Sequence, residues 1–436
     1  MNRNELPDDI QKLNALRANI KFLKFLGLLR TTDAMSPHWK QIAHRCLKYS
    51  IGIPISIFAL GAIVEAYYFR DNSREIIQAI TAFLSVLKSV IKYLSFILHE
   101  EEFKEISEHC DGNFIIEGND LTQRERKMIE NDMAITKKLT YSTWFMCLLL
   151  LSGLTFNVFP PSEEEIENSD RDYVPAWRSL NRYAIPFQSA RSPYFFFRFL
   201  YSVFVEICAM VPFILINTMN ALVITYLTTQ FSVLSDALEH IEENVQAVLE
   251  NEGSQIVTQE NGRFREESHE NRRVITQDAL FHWEMEMYLR RCIIHHQKLL
   301  QFFDILNNAM RTTLFADTLV ASILISMMSF SLLIATDMGD VIQNLGILTL
   351  TTTELWFFCW LATRLSVQSE RIGEAVWSSL WYKQRIKFQQ HSKFILTRAQ
   401  RPAQFSIYLF GTVSLELFSK IMNTAYSYFT IIKEMI

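Results

Sequence analysis

Three long stretches of the chain contain no Asp, Glu, Lys or Arg. They cover positions 139–162, 207–235 and 318–336, with 24, 29 and 19 consecutive uncharged residues. A helix of about 20 apolar residues crosses the hydrocarbon core of a bilayer, which is about 30 Å thick. Each stretch therefore predicts a helix that spans a membrane.

Four weaker apolar segments accompany these stretches, at 46–69, 76–98, 341–365 and 405–433. With its flanks, the second strong stretch becomes a span over about 199–229, where Pro212 predicts a kink, and the third a span over about 314–335. The pattern predicts an all-α membrane protein with seven transmembrane helices. Charged residues interrupt the weaker segments, namely Lys48, Glu65, Lys88, Lys92, Glu354, Arg364, Glu416 and Lys420.

Lysine and arginine are distributed unequally between the two sides of the predicted membrane. If the N-terminus is cytosolic, the inner segments contain 29 of these residues and the outer segments 6. Without the long 230–313 loop the counts are 21 and 6. Because cytosolic loops carry the excess of positive charge, the sequence predicts a cytosolic N-terminus and an extracellular C-terminus. This orientation is the inverse of that of a G-protein-coupled receptor.

The predicted spans divide the chain into parts of different character. Within the N-terminal part, residues 18–29 form a short apolar patch interrupted by Lys21 and Lys24, which predicts an amphipathic helix on the inner face of the membrane. An ordinary helix packed on cytosolic loops explains the same pattern equally well.

The six predicted parts of the chain are a cytosolic N-terminal segment (1–45), spans one to four (46–229), a cytosolic loop (230–313), spans five and six (314–365), a cytosolic segment (366–416) and the last span with the C-terminus (417–436).

Composition and motifs narrow the possible functions. The net charge of −5 gives no basic surplus that would suggest nucleic acid as a partner. The common nucleotide-binding and hydrolase motifs do not occur, so we expect no enzyme activity and no cofactor. His295 and His296 are adjacent and cannot share a metal from one helical face, so we expect no metal site. With Arg290 and Arg291 nearby, the two histidines are predicted to lie on a solvated cytosolic helix.

Charged residues inside the predicted spans are the main candidates for function, because a charge in the membrane is costly. Glu65 and Arg364 lie near span ends, where an interfacial anchor is the expected role. Lys88 and Lys92 share one face of the second span and are expected to snorkel or to pair. For the deeper acidic residues, pairing between helices and a role in permeation stay open. These residues are Glu206, Asp317 and Glu354.

The last apolar segment, 403–436, is too long for one crossing, so its first half is expected either to project into the cytosol or to break, at Gly411 or near 414–416. About 417–433 then lies in the membrane. A polar stripe with an apolar outer end suits a pore-lining helix, since polar groups hydrate ions and apolar residues close the path. A helix that buries this stripe in its own bundle is an equal alternative. The stripe consists of Glu416, Lys420, Asn423 and Ser427, followed by Ile431 and Met435 on the same face.

Residues 423–433, Asn-Thr-Ala-Tyr-Ser-Tyr-Phe-Thr-Ile-Ile-Lys, resemble the C-terminal signature of insect odorant receptors. That signature is typically a small residue followed by Tyr-Ser-Tyr-Phe and apolar residues. Length, seven spans, inverted orientation and the long cytosolic loop between spans four and five fit the same family. The related gustatory receptors share the topology but usually end with a different motif. Because of the shared topology, a gustatory-receptor-like channel is an alternative function. A G-protein-coupled receptor or a secondary transporter is a more distant alternative.

The resemblance implies an odorant-gated, non-selective cation channel at the plasma membrane, in the dendrite of a sensory neuron. In such channels a tuning subunit joins a co-receptor subunit in a tetramer, and cytosolic helices, here 230–313 and 366–416, form an anchor between subunits. The last helix would line a shared pore. Carried over, the pore face is Asn423 and Ser427, the gate Ile431 and Met435, the subunit contacts Tyr426, Tyr428 and Phe429, and Glu434 lies at the outer mouth.

The resemblance also implies an apolar cavity in the outer half of the membrane, among the second, third, fourth and sixth spans. This cavity would take a small volatile apolar ligand, and membrane lipid would surround the protein. A ligand that fits the open state better than the closed state would shift the channel towards opening. The candidate lining residues are Phe83, Leu87, Leu150, Gly153, Asn157, Glu206, Met210, Leu350 and Thr353.

Overall fold

The structure is a computed structural model that describes residues 15–26, 28–29, 38–68, 73–110, 122–156, 194–260, 277–335, 338–408 and 411–435. Almost all regular structure in this part of the chain is helical. A short ribbon of β1 (Ser406–Ile407) and β2 (Gly411–Thr412) precedes the last helix. The α-helices are α1 (Ala15–Phe25), α2 (His38–Tyr68), α3 (Ser73–Leu98), α4 (Glu100–Cys110), α5 (Gln123–Phe156), α6 (Tyr194–Glu239), α7 (Ile241–Glu260), α8 (Gln277–Ile334), α9 (Met338–Ser378), α10 (Ile386–Ala399) and α11 (Leu415–Met435).

Five of the described helices are long and apolar enough to cross a membrane, and they contain five of the seven predicted spans. Helix α5 carries the described part of the third predicted span, and α11 carries the seventh. Helix α11 includes four charged residues, Glu416, Lys420, Lys433 and Glu434. The five membrane-length segments are His44–Val64 in α2, Ala79–Leu98 in α3, Val203–Glu239 in α6, Ala279–Leu333 in α8 and Asn344–Ser378 in α9.

Three of these helices are much longer than a bilayer is thick. Helices α6, α8 and α9 have 46, 58 and 41 residues, or about 69, 87 and 61 Å at 1.5 Å per residue, against about 30 Å of hydrocarbon. The predicted part boundaries after 229, 313 and 365 therefore fall inside continuous helices. The division of the chain into six parts stays a prediction, and no break in the backbone marks these three boundaries.

Helix α6 forms the centre of the bundle. It is apolar on all sides, as expected for a helix surrounded by protein, and nearly every side chain from Leu215 to Leu238 is buried. Helices α1, α3, α5, α8 and α9 all pack against it. The first helix belongs to this packing, since Ile20 and Leu23 are buried and Asn19 Nδ2 donates a hydrogen bond to the Leu215 carbonyl at 3.0 Å. The N-terminal segment is thus amphipathic and packs on α6, which corrects the alternative of a helix packed on cytosolic loops.

Close packing joins α2 to α3. Gly52 allows the approach, because a Cβ there would lie 3.0 Å from Cε1 of Tyr93. The Tyr93 hydroxyl donates to the Lys48 carbonyl at 2.5 Å, and the Lys48 ammonium lies 2.5 Å from Glu100 Oε2 at the start of α4. The tyrosine hydroxyl therefore ties α3 to α2, and the ion pair ties α2 to the start of α4.

Helix α5 begins at a capping box. The Glu125 N–H donates to Thr122 Oγ1 at 3.3 Å, and the Thr122 N–H donates to Glu125 Oε2 at 2.8 Å. The pair satisfies two backbone donors that a helix start would otherwise leave unpaired. The start of α5 is therefore encoded locally by a Thr-x-x-Glu sequence.

Candidate functional site

The last helix begins after a break in the chain. Gly411 in β2 has a φ of +80°, a left-handed conformation that glycine adopts without strain. Ser414 caps α11, since its Oγ accepts a hydrogen bond from the Leu417 N–H at 3.3 Å. The Leu415 N–H donates to Thr363 Oγ1 of α9 at 2.9 Å. The expectation that the terminal segment breaks in this region is confirmed, and the contact with Thr363 ties the start of α11 to α9.

Helix α11 has two faces of opposite character. Leu417, Ile421 and Ala425, four residues apart, are buried on the side that packs against α8 and α9. The alternative that the polar stripe is buried within its own bundle is wrong for the described side chains. The side chain of Met435 lies outside the described side chains. The exposed members of the predicted stripe are Glu416, Lys420, Asn423, Ser427 and Ile431.

The exposed stripe is partly organised by its own contacts. Lys420 Nζ lies 2.7 Å from Glu416 Oε1, one turn along the helix. Ser427 Oγ donates to the Asn423 carbonyl at 2.9 Å. These side chains therefore face away from the bundle while bonding along the helix.

The predicted subunit contacts lie next to the stripe. Tyr426 and Tyr428 are 67% and 56% exposed, and Phe429 is half-buried with its ring centroid 6.5 Å from that of Tyr426. Two exposed tyrosines leave room for a partner on this side of α11. Their role as contacts between subunits stays a prediction, as do the pore and gate roles of the stripe.

Four ionisable side chains meet in the predicted membrane region of three helices. Each is 17% exposed or less. Two ammonium groups face two carboxylates, so the group is neutral overall. We call it the embedded charge cluster, and it consists of Lys88 and Lys92 of α3, Asp317 of α8 and Glu354 of α9.

Lys92 lies at the centre of the cluster. Its side chain is fully buried and its Nζ donates to Asn217 Oδ1 of α6 at 2.6 Å and to Glu354 Oε1 at 2.6 Å. The same Nζ lies 2.9 Å from Asp317 Oδ2 and 4.4 Å from the ring centroid of Phe213. All three ammonium hydrogens thus have acceptors. Lys92 connects α3 with α6, α8 and α9.

Glu354 is the common acceptor of the cluster. Its Oε1 accepts from Lys92 and, at 2.7 Å, from Asn217 Nδ2, while Oε2 accepts from Lys88. Of the two expectations for the lysines, pairing is confirmed and snorkelling is wrong. For Asp317 and Glu354 the structure provides the expected pairing between helices. A narrow pocket beside the cluster is lined by Lys88, Leu314, Asp317, Thr318, Ala321, Glu354, Leu355, Phe358, Cys359 and Val413.

Two of the predicted ligand-binding residues are sequence neighbours of cluster members. Leu87 precedes Lys88 on α3 and Thr353 precedes Glu354 on α9. Thr353 is exposed, whereas the four others with described side chains are half-buried, namely Phe83, Leu87, Met210 and Leu350. Asn157 lies outside the described residues, and Leu150, Gly153 and Glu206 lie on helices but outside the described side chains. The cavity as a whole stays a prediction.

A second ion pair corrects the expected role of Arg364. Its Nη2 donates to Asp132 Oδ1 of α5, and Thr229 Oγ1 of α6 donates to Asp132 Oδ2 at 2.9 Å. The guanidinium carbon lies 5.8 Å from the ring centroid of Trp360. Arg364 therefore joins α9 to α5 and α6 instead of acting as an interfacial anchor. The side chain of Glu65 lies outside the described side chains.

The histidine pair also differs from the prediction. His295 and His296 are 8% and 4% exposed, so they do not lie on a solvated surface. The ring Nε2 of His295 lies 3.1 Å from Gln230 Oε1 of α6, and the ring of His296 meets that of Phe231 edge to face. The pair belongs to the packing between α8 and α6. Its burial follows from the helical spacing with Cys292 and Leu299, which are buried three residues before and after the pair.

Known proteins agree with this architecture. The model of the 7tm odorant receptor family matches residues 72–426, well over half of the chain. The chain belongs to the odorant receptor family. The family is one of receptors and not of enzymes, and membership together with the apolar helices makes the chain a multi-pass membrane protein.

Individual odorant receptors are distant relatives. The chain is 25% identical over 145 residues to odorant receptor Or2 of Anopheles gambiae, covering 33% of this chain and 38% of that one. It is 23% identical over 148 residues to putative odorant receptor 85d of Drosophila melanogaster, covering 34% and 36%. The matched stretches thus span less than two fifths of the length of these curated relatives.

The fold is that of a solved odorant receptor. Olfactory receptor OR5 from Machilis hrabei superimposes with a TM-score of 0.71 at 16% identity, covering 96% of this chain and 98% of that one. The same receptor in complex with eugenol gives a TM-score of 0.68 and covers 97% and 100%. At this identity the likeness establishes a shared fold over nearly the whole length of both chains.

Proposed function

We propose that the chain is an odorant-tuning subunit of an odorant-gated, non-selective cation channel. The two-faced helix α11 carries this proposal. Leu417, Ile421 and Ala425 fasten the helix to the bundle, while the polar stripe is exposed in the single chain. An exposed polar stripe on a helix in the membrane is explained if it faces the water of a pore that several subunits share.

The proposed partner is a co-receptor subunit in a heterotetramer. The exposed Tyr426 and Tyr428 support a subunit contact beside the pore face. The long extensions of α6, α8 and α9 beyond bilayer thickness supply the helices of an anchor between subunits. In this arrangement the N-terminus is cytosolic and the C-terminus extracellular, which the excess of lysine and arginine on the inner side supports.

The proposed ligand is a small volatile apolar molecule. Family membership and the eugenol complex of the Machilis receptor support a small-molecule ligand. The cavity would lie on the outer side of the embedded charge cluster, where Leu87 and Thr353 adjoin it. Ligand binding in the outer half and a gate on α11 then communicate through α9, since Thr363 of α9 accepts the hydrogen bond from the start of α11. The plasma membrane of a sensory dendrite is the proposed site of action.

The deciding experiment records currents from cells that express the chain with a co-receptor subunit. Cysteine is introduced at Asn423, at Ser427 and, as a control on the buried face, at Ile421, and a charged thiol reagent is applied while odorants are screened. We expect odorant-evoked cation currents that the reagent alters at positions 423 and 427 but not at 421. Absence of any evoked current would contradict channel function, and equal modification at all three positions would contradict the pore face.

A further inference from the structure

We propose that the embedded charge cluster is an ionic latch, by which α8 and α9 hold α3 in the membrane. The proposal concerns the insertion of the chain and does not depend on channel activity. It starts from the fact that α3 carries two lysines within its membrane-length segment, and that both are buried in the bundle, at 6% and 0% exposure.

Helix α3 is unsuited to span a membrane by itself. A lysine near the middle of a span is strongly unfavourable, unless its ammonium reaches the interface or a partner. Lys92 is fully enclosed and directs its ammonium towards α6, α8 and α9, so the interface does not solvate it. Lys88 lies one turn further from the inner end and donates to Glu354. Both charges are therefore neutralised by other helices.

The neutralising groups come from much later in the chain. The hydrogen bonds of Lys88 and Lys92 to Glu354 join residues 266 and 262 positions apart. Asp317 also follows after α6 and the cytosolic helix α7. Because synthesis runs from the N-terminus, α3 leaves the ribosome long before its partners. Helix α3 can therefore insert stably in the membrane only after α8 and α9 have been synthesised.

The charge balance makes the proposal specific. With both carboxylates removed, two ammonium groups remain in the membrane without a counter-charge. With all four groups replaced by neutral side chains of similar size, no charge remains to be neutralised. The latch therefore predicts that removal of two charges is worse than removal of four, which is the opposite of what loss of packing alone predicts.

The test uses the full chain with a glycosylation reporter after α3. Leu121→Thr completes an Asn-x-Thr acceptor at Asn119, between α4 and α5. In this background we compare the unaltered cluster, the pair Asp317→Asn with Glu354→Gln, and that pair combined with Lys88→Met and Lys92→Met. Glycosylation is read as an endoglycosidase-sensitive mass shift, and surface protein is measured by biotinylation.

We expect that, in a large fraction of chains, the two-acid variant differs from the unaltered cluster in its glycosylation at Asn119. We also expect this variant to lose most of its surface protein. The four-residue variant should return both readouts to those of the unaltered cluster. Matched controls are Asp304→Asn and Glu370→Gln, exposed acids on the same two helices. Unchanged glycosylation in the two-acid variant would overturn the proposal, and so would failure of the four-residue variant to recover.

Discussion

Lys92 illustrates what a buried charge requires. An ammonium group has three donors, and in a membrane each unpaired donor is costly. Asn217, Asp317 and Glu354 supply one acceptor each within 2.9 Å. The neutral amide belongs to the same network, because Asn217 Nδ2 also donates to Glu354 Oε1. The lysine is therefore held in a network that fixes four helices relative to one another.

The sequence identifies the charged members of such a network but not their partners. A lysine in an apolar run is visible as an anomaly, whereas its pairing with Glu354 depends on the packing of helices more than 260 residues apart. Asn217 lies in an uncharged run and gives no signal at all. The buried His295 and His296 were predictable in principle from helical spacing, but the neighbouring arginines favoured a solvated helix. Local charge was a misleading guide there.

Loss of the Arg364 side chain should leave Asp132 as an uncompensated carboxylate. We expect Arg364→Met to lower the free energy of unfolding by about 1.5–3 kcal/mol, the range for a hydrogen bond to a charged group. The measurement is the thermal unfolding of the purified chain in detergent. Adding Asp132→Asn should restore much of the loss, since the amide keeps an acceptor for Thr229. The exposed Arg371→Met serves as the control, and equal effects at 364 and 371 would refute the role of the pair.

A methyl group at Gly52 should separate α2 from α3. Its Cβ would meet the Tyr93 ring at 3.0 Å, so we expect Gly52→Ala to destabilise the chain by about 1–3 kcal/mol through overpacking. Gly373→Ala provides a comparison, because its Cβ would lie 3.3 Å from the Ala399 Cβ and needs a smaller adjustment. Thermal unfolding of both variants checks the order. A larger loss for Gly373→Ala would contradict it.

At the scale of elements, α11 shows that the sequence reveals a polar face on a helix but not whether that face is buried or exposed. The spacing of the polar stripe, in steps of four, three and four residues, was readable from the sequence, and so was the excess length of the segment before it. Whether the stripe is buried or exposed depends on which face α8 and α9 take, and the apolar residues at 417, 421 and 425 decide that. The ribbon of β1 and β2 was not predicted, since two-residue strands leave no periodic pattern.

The apolar end of α11 supports a prediction about closure. Ile431 is 55% exposed beyond the polar residues of the stripe. An apolar constriction closes a pore by excluding water, so a smaller side chain should let water and ions through at rest. We expect Ile431→Ala, expressed with a co-receptor subunit, to raise the basal conductance several-fold.

Recordings normalised to surface protein check this expectation, with Ile421→Ala on the buried face as the control. Met435→Ala is predicted to act in the same direction as Ile431→Ala. Unchanged leak at both 431 and 435 would remove the gate from this end of the helix. Leak of similar size from the control at 421 would indicate general loosening of the bundle instead of an opened gate.

At the scale of the whole molecule, the class of protein was accessible from apolar runs and charge asymmetry. The predicted spans came from apolar runs of about 20 residues or more, and the family resemblance came first from the short motif at 423–433. The sequence did not predict that α6, α8 and α9 continue across the assigned boundaries, because those boundaries were placed from composition alone. Composition changes there, and conformation does not.

The orientation can be tested with tags at both termini. We expect a tag at the N-terminus to be labelled by antibody only after permeabilisation, and a tag at the C-terminus to be labelled on intact cells. The reason is the excess of lysine and arginine in the segments assigned to the cytosol. Labelling of the N-terminal tag on intact cells would reverse the orientation and with it the placement of the ligand cavity.

Helix α8 runs without interruption through 58 residues, about 87 Å. A rod of that length acts as a lever. If the segment at Asp317 tilts by about 3°, the far end near Gln277, about 60 Å away along the helix, is displaced by about 3 Å. Small rearrangements around Lys92 are therefore magnified at the tip, tens of ångströms away from where they arise.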